Sequence, residues 1–181
     1  MRSTKISTRL ILLSLGILGA VSLTVPSMAK QLNTTTQPAN SYFNWIVYNT
    51  AVNPPYLISP DEAAEAASAP NLRLEIYFRA LTPSYHLSHD EALAAATHPD
   101  LNEQVYFTAM TPSYHRTHAE AFEAATLGVD SQVYFTALSP SYQLSHKEAL
   151  EAALAPIDMQ TYFHLLAIGY SHAQALNAAY L

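Results

Sequence analysis

The chain contains no cysteine, so no disulfide can staple it and its stability has to come from packing alone. Basic residues are scarce, because eight lysines and arginines stand against fourteen acidic residues, for a formal charge of −6. This excess of acidic residues disfavours binding to nucleic acid, whose phosphates are negative. Glycine is rare as well: only Gly128 and Gly169 follow the first 29 residues. Few positions beyond that segment are therefore intrinsically flexible.

The first 29 residues have the three-part layout of a secretory signal peptide. Three basic residues precede an uncharged apolar stretch over residues 10–25, and Ser27-Met28-Ala29 fits a small-residue cleavage site. The stretch is 16 residues long, which is shorter than the roughly 20 residues that span a bilayer as a helix. We therefore expect an exported bacterial protein, periplasmic or secreted, with no membrane span after cleavage. An uncleaved N-terminal anchor is the alternative.

An internal repeat of 28 or 29 residues organises the remainder of the chain. The segment Tyr-Phe-x-Ala-Leu/Met-Ser/Thr-Pro-Ser-Tyr occurs three times, and degraded copies precede and follow it. The leading tyrosines are Tyr48, Tyr77, Tyr106, Tyr134 and Tyr162. Polar residues 30–40 predict a flexible linker, and residues 41–181 predict one helical repeat domain. Its units are residues 41–69, 70–98, 99–127, 128–155 and 156–181.

The second half of each unit is predicted to be a helix with a defined start. A Ser/Thr-x-x-Glu/Gln capping box precedes it in all five copies, and this motif satisfies two free backbone donors reciprocally. The pairs are Ser59 with Glu62, Ser88 with Glu91, Thr117 with Glu120, Ser145 with Glu148, and Ser171 with Gln174. An alanine-rich apolar stripe follows each box, and alanine has the highest helix propensity.

The first half of each unit also has helical spacing, since Tyr106, Ala109 and Met110 lie at i, i+3 and i+4. Asp100 and Asp130 are the predicted N-caps. The x-Pro-Ser-Tyr that follows predicts a turn. The fold class is therefore all-α: five tandem short helix-turn-helix repeats, forming a small solenoid or a compact superhelical bundle. The plan resembles tetratricopeptide repeats in architecture alone, since the unit is shorter and their Trp, Leu-Gly and Pro signature is missing.

Histidines bracket the capping residues of two successive repeats. They are His86, His89, His115 and His118. Imidazole nitrogens commonly bind zinc and copper, so this ladder is a candidate metal site. However, a residue directly after an N-cap is expected to be exposed, and His-x-x-His across a helix start lacks the fixed i, i+4 geometry of a zinc motif. The position of His86 and His115 is held by Leu57 and Gln143 in two other copies. A dedicated metal site would keep histidine there, so this change favours a function without metal.

The repeated tyrosines form two sets. The leading set is expected to pack in the core. The set after the Pro-Ser turn, Tyr85, Tyr114 and Tyr142, is predicted to wedge one hairpin against the next. The alternative is that this second set lines an exposed edge, where aromatic side chains suit the recognition of peptides or sugars.

The last repeat departs from the others because Met159 to Leu181 contain no charged residue. A repeat array usually needs a polar outer face on its terminal unit, so this end is a candidate docking surface. Its candidate residues are Leu165, Leu166, Ile168, Tyr170, Tyr180 and Leu181. We therefore predict an exported, non-enzymatic scaffold that binds a protein, a peptide or a second copy of itself through the last repeat, without a cofactor. The alternative is an exported protein that binds zinc, copper or a small ligand through the histidine-rich turns.

Overall fold

A computed structural model of the chain describes residues 43–181. The predicted signal peptide (1–29) and linker (30–40) lie outside these residues. The described part forms ten α-helices and no β-strand, which confirms the predicted all-α class. The helices are α1 (Trp45–Val52), α2 (Pro60–Ser68), α3 (Leu74–Ala80), α4 (His89–Thr97), α5 (Glu103–Ala109), α6 (His118–Thr126), α7 (Ser131–Leu138), α8 (His146–Leu154), α9 (Met159–Ala167) and α10 (His172–Ala179).

Consecutive helices pack in pairs, and each pair forms one hairpin. The five pairs are α1 with α2, α3 with α4, α5 with α6, α7 with α8, and α9 with α10. A backbone hydrogen bond closes every hairpin at its open end. In the third hairpin the amide of Asn102, just before α5, donates to the carbonyl of Ala125 near the end of α6, at 2.9 Å. The same bond recurs in the other four hairpins. The five predicted helix-turn-helix units are therefore present.

The second helix of each hairpin begins where the capping boxes predict it. In all five, the Ser or Thr side chain accepts a hydrogen bond from the backbone amide of the third helical residue. The side chain of that third residue accepts a hydrogen bond from the backbone amide of the cap residue. The alanine stripe then faces the core: Ala92, Ala95 and Ala96 of α4 have no exposed surface. Alanine leaves little side-chain bulk between the paired helices, which allows the two backbones to approach closely.

The first helices are capped less uniformly. Asp130 caps α7 as predicted, but the prediction of Asp100 is wrong, because the N-cap of α5 is Asn102, whose side chain accepts from the amide of Val105. The reason lies in Leu101, whose side chain is buried in the core before the helix begins. The chain therefore stays non-helical through Leu101 and Asn102, and α5 begins at Glu103.

The turn inside each hairpin contains one residue with left-handed backbone, two positions before the cap of the second helix. In the first four hairpins it is Leu57, His86, His115 or Gln143, with φ between 50° and 54°. In the fifth hairpin, whose turn is two residues shorter, Gly169 occupies the equivalent place with φ 97°. The variable turn position of the sequence is thus the position where the backbone is left-handed.

Candidate functional site

A buried tyrosine contacts a histidine within each of the last four hairpins. The hydroxyl groups of Tyr77, Tyr106, Tyr134 and Tyr162 lie 2.7–2.9 Å from the Nδ1 atoms of His89, His118, His146 and His172. Each tyrosine comes from the first helix, and each histidine is the first residue of the second helix. This pair ties the two helices together at the turn end of the hairpin.

Burial of the tyrosines sets the protonation state of their hydroxyl groups. None of the four has exposed surface. Burial, with the charge of nearby glutamates as a smaller contribution, raises the pKa of Tyr162 to about 12, and burial raises the pKa of Tyr134 to about 12 as well. The phenols therefore stay protonated. At His146 and His172 the Nε2 atom faces a glutamate carboxylate, which can only accept, so Nε2 carries the proton and the phenol donates to Nδ1.

The Nε2 atom points back to the preceding hairpin, where a glutamate accepts from it. His146 lies 3.1 Å from Glu123, and His172 lies 3.1 Å from Glu151. His89 lies 3.4 Å from Glu65 without hydrogen-bond geometry. Each chain of Tyr, His and Glu thus links two successive repeats. We call this chain the junction relay.

The junction between the second and third hairpins lacks the glutamate of the relay. Ala94 occupies the position that Glu65, Glu123 and Glu151 hold in the other repeats. Burial lowers the pKa of His118, and the charge of Glu91 offsets this effect only in part. The neutral form of His118 is therefore favoured in the folded protein.

A second contact links the same repeats through aromatic rings. The turn tyrosine of each hairpin packs against the phenylalanine in the first helix of the next hairpin. The pairs are Tyr56–Phe78, Tyr85–Phe107, Tyr114–Phe135 and Tyr142–Phe163, with ring centroids 4.7–4.8 Å apart. The predicted role of Tyr85, Tyr114 and Tyr142 as wedges between hairpins is confirmed, and Tyr56 makes the same contact.

The junction relay explains the histidines that follow the caps. The expectation that such residues are exposed is wrong, since His89 is only 7 % exposed and the others are half-buried. A signal for this was present, because tyrosine and histidine are separated by 12 residues in three successive repeats. Since the tyrosines have no exposed surface, each relay begins in the core, and it ends at the surface because the relay glutamates are exposed.

The proposed metal ligands are not brought together. His86 and His115 lie exposed on their turns, whereas His89 and His118 are each hydrogen-bonded through Nδ1 to a buried tyrosine hydroxyl. Within residues 43–181, no group of three or more His, Cys, Asp or Glu side chains could hold a metal ion. Binding of zinc or copper by these histidines stays a prediction, without a ligand set in the described part of the chain.

The candidate docking residues of the fifth hairpin divide into two groups. Leu165 and Leu166 are half-buried against the core. The other four are exposed: Ile168 by 59 %, Tyr170 by 48 %, Tyr180 by 62 % and Leu181 by 81 %. Leu181 is held in place, because its amide donates to the carbonyl of Pro156 at 2.9 Å. We call these four exposed side chains the terminal apolar surface.

The two terminal hairpins lack the junction residues on their outward sides. In the fifth hairpin, Ile168 and Asn177 occupy the places of the turn tyrosine and the relay glutamate, counted from the capping serine. In the first hairpin, Asn49 and Pro60 occupy the places of the phenylalanine and the relay histidine. Neither end therefore offers the contacts that join one repeat to the next.

Comparisons with known proteins give no relative. No protein-family model matches the chain, and no curated protein or solved structure is similar to it. None of the ten described helices is both long enough and apolar enough to cross a bilayer. The residues and contacts of the described part of the chain are those of an all-α repeat protein.

Proposed function

We propose that the chain is an exported, non-enzymatic scaffold that binds another protein through the terminal apolar surface. The main support is the exposure of Ile168, Tyr170, Tyr180 and Leu181 in a segment without a charged residue. Large apolar side chains that remain in water on a structured surface are a recognised mark of a protein interface. Aromatic residues such as the two tyrosines are also enriched at the centres of such interfaces.

The repeat pattern supports a different protein as the partner in preference to a second copy. Within the array, the position held by Ile168 is occupied by a tyrosine that packs on a phenylalanine of the following repeat. The first hairpin of another copy has Asn49 in the place of that phenylalanine. Head-to-tail stacking of two copies would therefore lack both contacts that join repeats, so we assign the surface to a heterologous apolar partner.

The test is quantitative capture by the full chain, expressed in its own host with its N-terminal segment. A variant with Ile168→Ser, Tyr180→Ser and Leu181→Ser should retain the captured protein at least tenfold less than the wild type. The matched control is Leu127→Ser with Leu154→Ser, which removes one exposed leucine directly after α6 and one at the end of α8. This control should retain the captured protein as the wild type does.

Light scattering on the same samples separates the two kinds of partner. We expect a monomer at all concentrations. A dimer that the triple variant abolishes would assign the surface to self-association and contradict the proposed heterologous partner. Equal capture by the wild type and the triple variant would place any interface elsewhere.

Export is proposed on the composition of residues 1–29. The intact mass of the protein recovered outside the cytoplasm should correspond to residues 30–181. Lysine in place of Leu12 and Leu13 breaks the apolar stretch, so this variant should accumulate in the cytoplasm at full length. Recovery of residues 1–181 from the membrane fraction would indicate an anchor instead.

A further inference from the structure

An arginine side chain fills the groove between the second and third hairpins. The guanidinium of Arg79 lies over the ring of Phe107, with its Cζ 4.1 Å from the ring centroid. It donates to the carboxylate of Glu103 at 2.9 Å and to the hydroxyl of Tyr85 at 3.3 Å. Phe107 is only 1 % exposed as a result of this cover and its packing. The groove thus holds a planar cation between an aromatic face, a phenol and a carboxylate.

The equivalent groove between the third and fourth hairpins is open. Its volume is about 440 Å³. It is lined by Tyr114, Ser131, Gln132, Phe135, Thr136 and Ser139. The aromatic pair has the same spacing in both grooves, since the ring centroids of Tyr114 and Phe135 and those of Tyr85 and Phe107 are each 4.7 Å apart.

Two sequence changes account for the difference between the grooves. Thr108 holds the place of Arg79 in the repeat, and its side chain is too short to cover the next phenylalanine. Ser131 holds the place of Glu103 and offers a hydroxyl where the filled groove has a carboxylate. Phe135 is accordingly half-buried, in contrast to Phe107. The aromatic platform is kept while the internal cation is gone.

We propose that this open groove binds the guanidinium of an arginine side chain from a peptide or protein. The ring of Phe135 supplies the cation–π face, the hydroxyl of Tyr114 accepts as Tyr85 does, and Ser131 and Gln132 offer neutral acceptors. Charge complementarity favours a cation, because residues 43–181 contain fourteen acidic and four basic residues. Three of those four basic residues already lie in ion pairs with glutamates.

This groove lies on different hairpins from the terminal apolar surface, so the inference goes beyond the proposed function and does not depend on it. The probe is N-acetyl-arginine amide, titrated into the isotope-labelled protein and followed by NMR. We expect binding in the millimolar range, with the largest shifts at Phe135, Ser131 and Tyr114. The citrulline analogue, which has the same shape without the charge, and the lysine analogue should each bind at least fivefold more weakly.

A double variant tests the position of the site. Thr108→Arg with Ser131→Glu rebuilds the pair that fills the neighbouring groove, so binding of the arginine probe should be lost while the spectrum stays dispersed. The converse variant, Arg79→Thr with Glu103→Ser, should open a second groove and add shifts at Phe107.

Several results would overturn the proposal. Undiminished binding to the folded Thr108→Arg, Ser131→Glu protein would place the site elsewhere. Equal binding of the citrulline analogue would remove the role of the cation. Tighter binding of N-acetylglucosamine than of the arginine probe would assign the groove to a saccharide. If the filled variant does not fold, shifts that map outside the six lining residues of the wild type are sufficient to reject the site.

Discussion

At the scale of single residues, the left-handed turn position shows how one backbone requirement is met by different side chains. A residue with a Cβ in this conformation costs roughly 1–2 kcal/mol relative to its ordinary backbone, whereas glycine adopts it freely. Four hairpins accept this cost at Leu57, His86, His115 and Gln143, and the fifth avoids it with Gly169. The surrounding turn and the capping box must therefore hold the backbone in place.

The first prediction concerns this position. Leu57→Gly should raise the free energy of unfolding by about 0.5–1 kcal/mol, because the relief of strain exceeds the added entropy of the unfolded chain. Gly169→Ala should lower it by about 1 kcal/mol. No atom lies within 4 Å of the added methyl group, so strain alone would act. Urea denaturation measures both variants, and changes of the same sign would contradict the explanation.

The second prediction concerns the phenol of the junction relay. Tyr134→Phe should lower the free energy of unfolding by about 1–2 kcal/mol, because Nδ1 of His146 loses its donor in a half-buried place. The control is Tyr48→Phe in the first hairpin, where Pro60 replaces the histidine, and its effect should be close to zero. Equal effects in the same denaturation experiment would show that the hydroxyl acts without the histidine.

At the scale of helices, the sequence predicts the second helix of each hairpin better than the first. Ser88 and Glu91 form a local signal that is complete within four residues, and the structure follows it. The start of α5 depends instead on Leu101, whose burial requires a neighbouring helix and so cannot be read from local spacing. Asp100 consequently has a side chain suitable for an N-cap, but the helix begins after Asn102 and Asp100 does not cap it.

The relay was missed for a related reason. Spacing alone shows that tyrosine and histidine recur together, but their contact depends on how two antiparallel helices meet at the turn. His146 and Glu123 are separated by 23 residues in the sequence, and their contact joins one hairpin to the next. By contrast, the wedge role of Tyr114 was predictable, because short hairpins need apolar contacts with their neighbours.

The third prediction tests the junction in which the relay is incomplete. The pKa of His118 is lowered in the folded state by burial, so the unfolded chain binds the proton first as the pH falls. The stability that depends on neutral His118 is complete above its ordinary pKa of 6.5 and is lost as the pH falls from there towards the folded value. Tyr106 and Phe122 contact the ring, and Glu91 is the acidic residue whose charge acts on its pKa.

Ala94→Glu supplies the missing carboxylate and should reduce this loss. Urea midpoints at pH 7.5 and pH 5.5 measure it, at pH values above the range in which most carboxylates titrate. The wild type should lose more stability between the two pH values than the variant does. Ala94→Gln is the control of matched size without the charge, and it should behave as the wild type. A variant whose pH dependence is steeper than that of the wild type would contradict this role.

At the scale of the whole array, stability is expected to be a sum of hairpins and the contacts between neighbours. The third repeat carries a complete set of junction residues on both sides. Its Phe107 and His118 face the second repeat, and its Tyr114 and Glu123 face the fourth. A second copy of it would therefore find every contact that it needs, including the carboxylate that the natural junction lacks.

The fourth prediction follows from this. Insertion of a second copy of residues 99–127 after Leu127 should raise the urea midpoint and increase the helical ellipticity in proportion to the added helices. Insertion of residues 41–69 at the same place is the control of equal length. It lacks the phenylalanine and the histidine, with Asn49 and Pro60 in their places, and should lower the midpoint. The same outcome for both insertions would show that the junction residues do not set the stability.

The outward sides of the first and fifth hairpins, which lack junction residues, set a rule for how such a chain can change in length. A gene duplication that copies a central unit leaves both ends as they are, whereas one that adds a unit beyond Leu181 would meet Ile168 and Asn177 without matching contacts. Variants of this chain should therefore differ by whole units taken from the middle. The number of hairpins between two constant ends would then be the quantity that mutation can adjust.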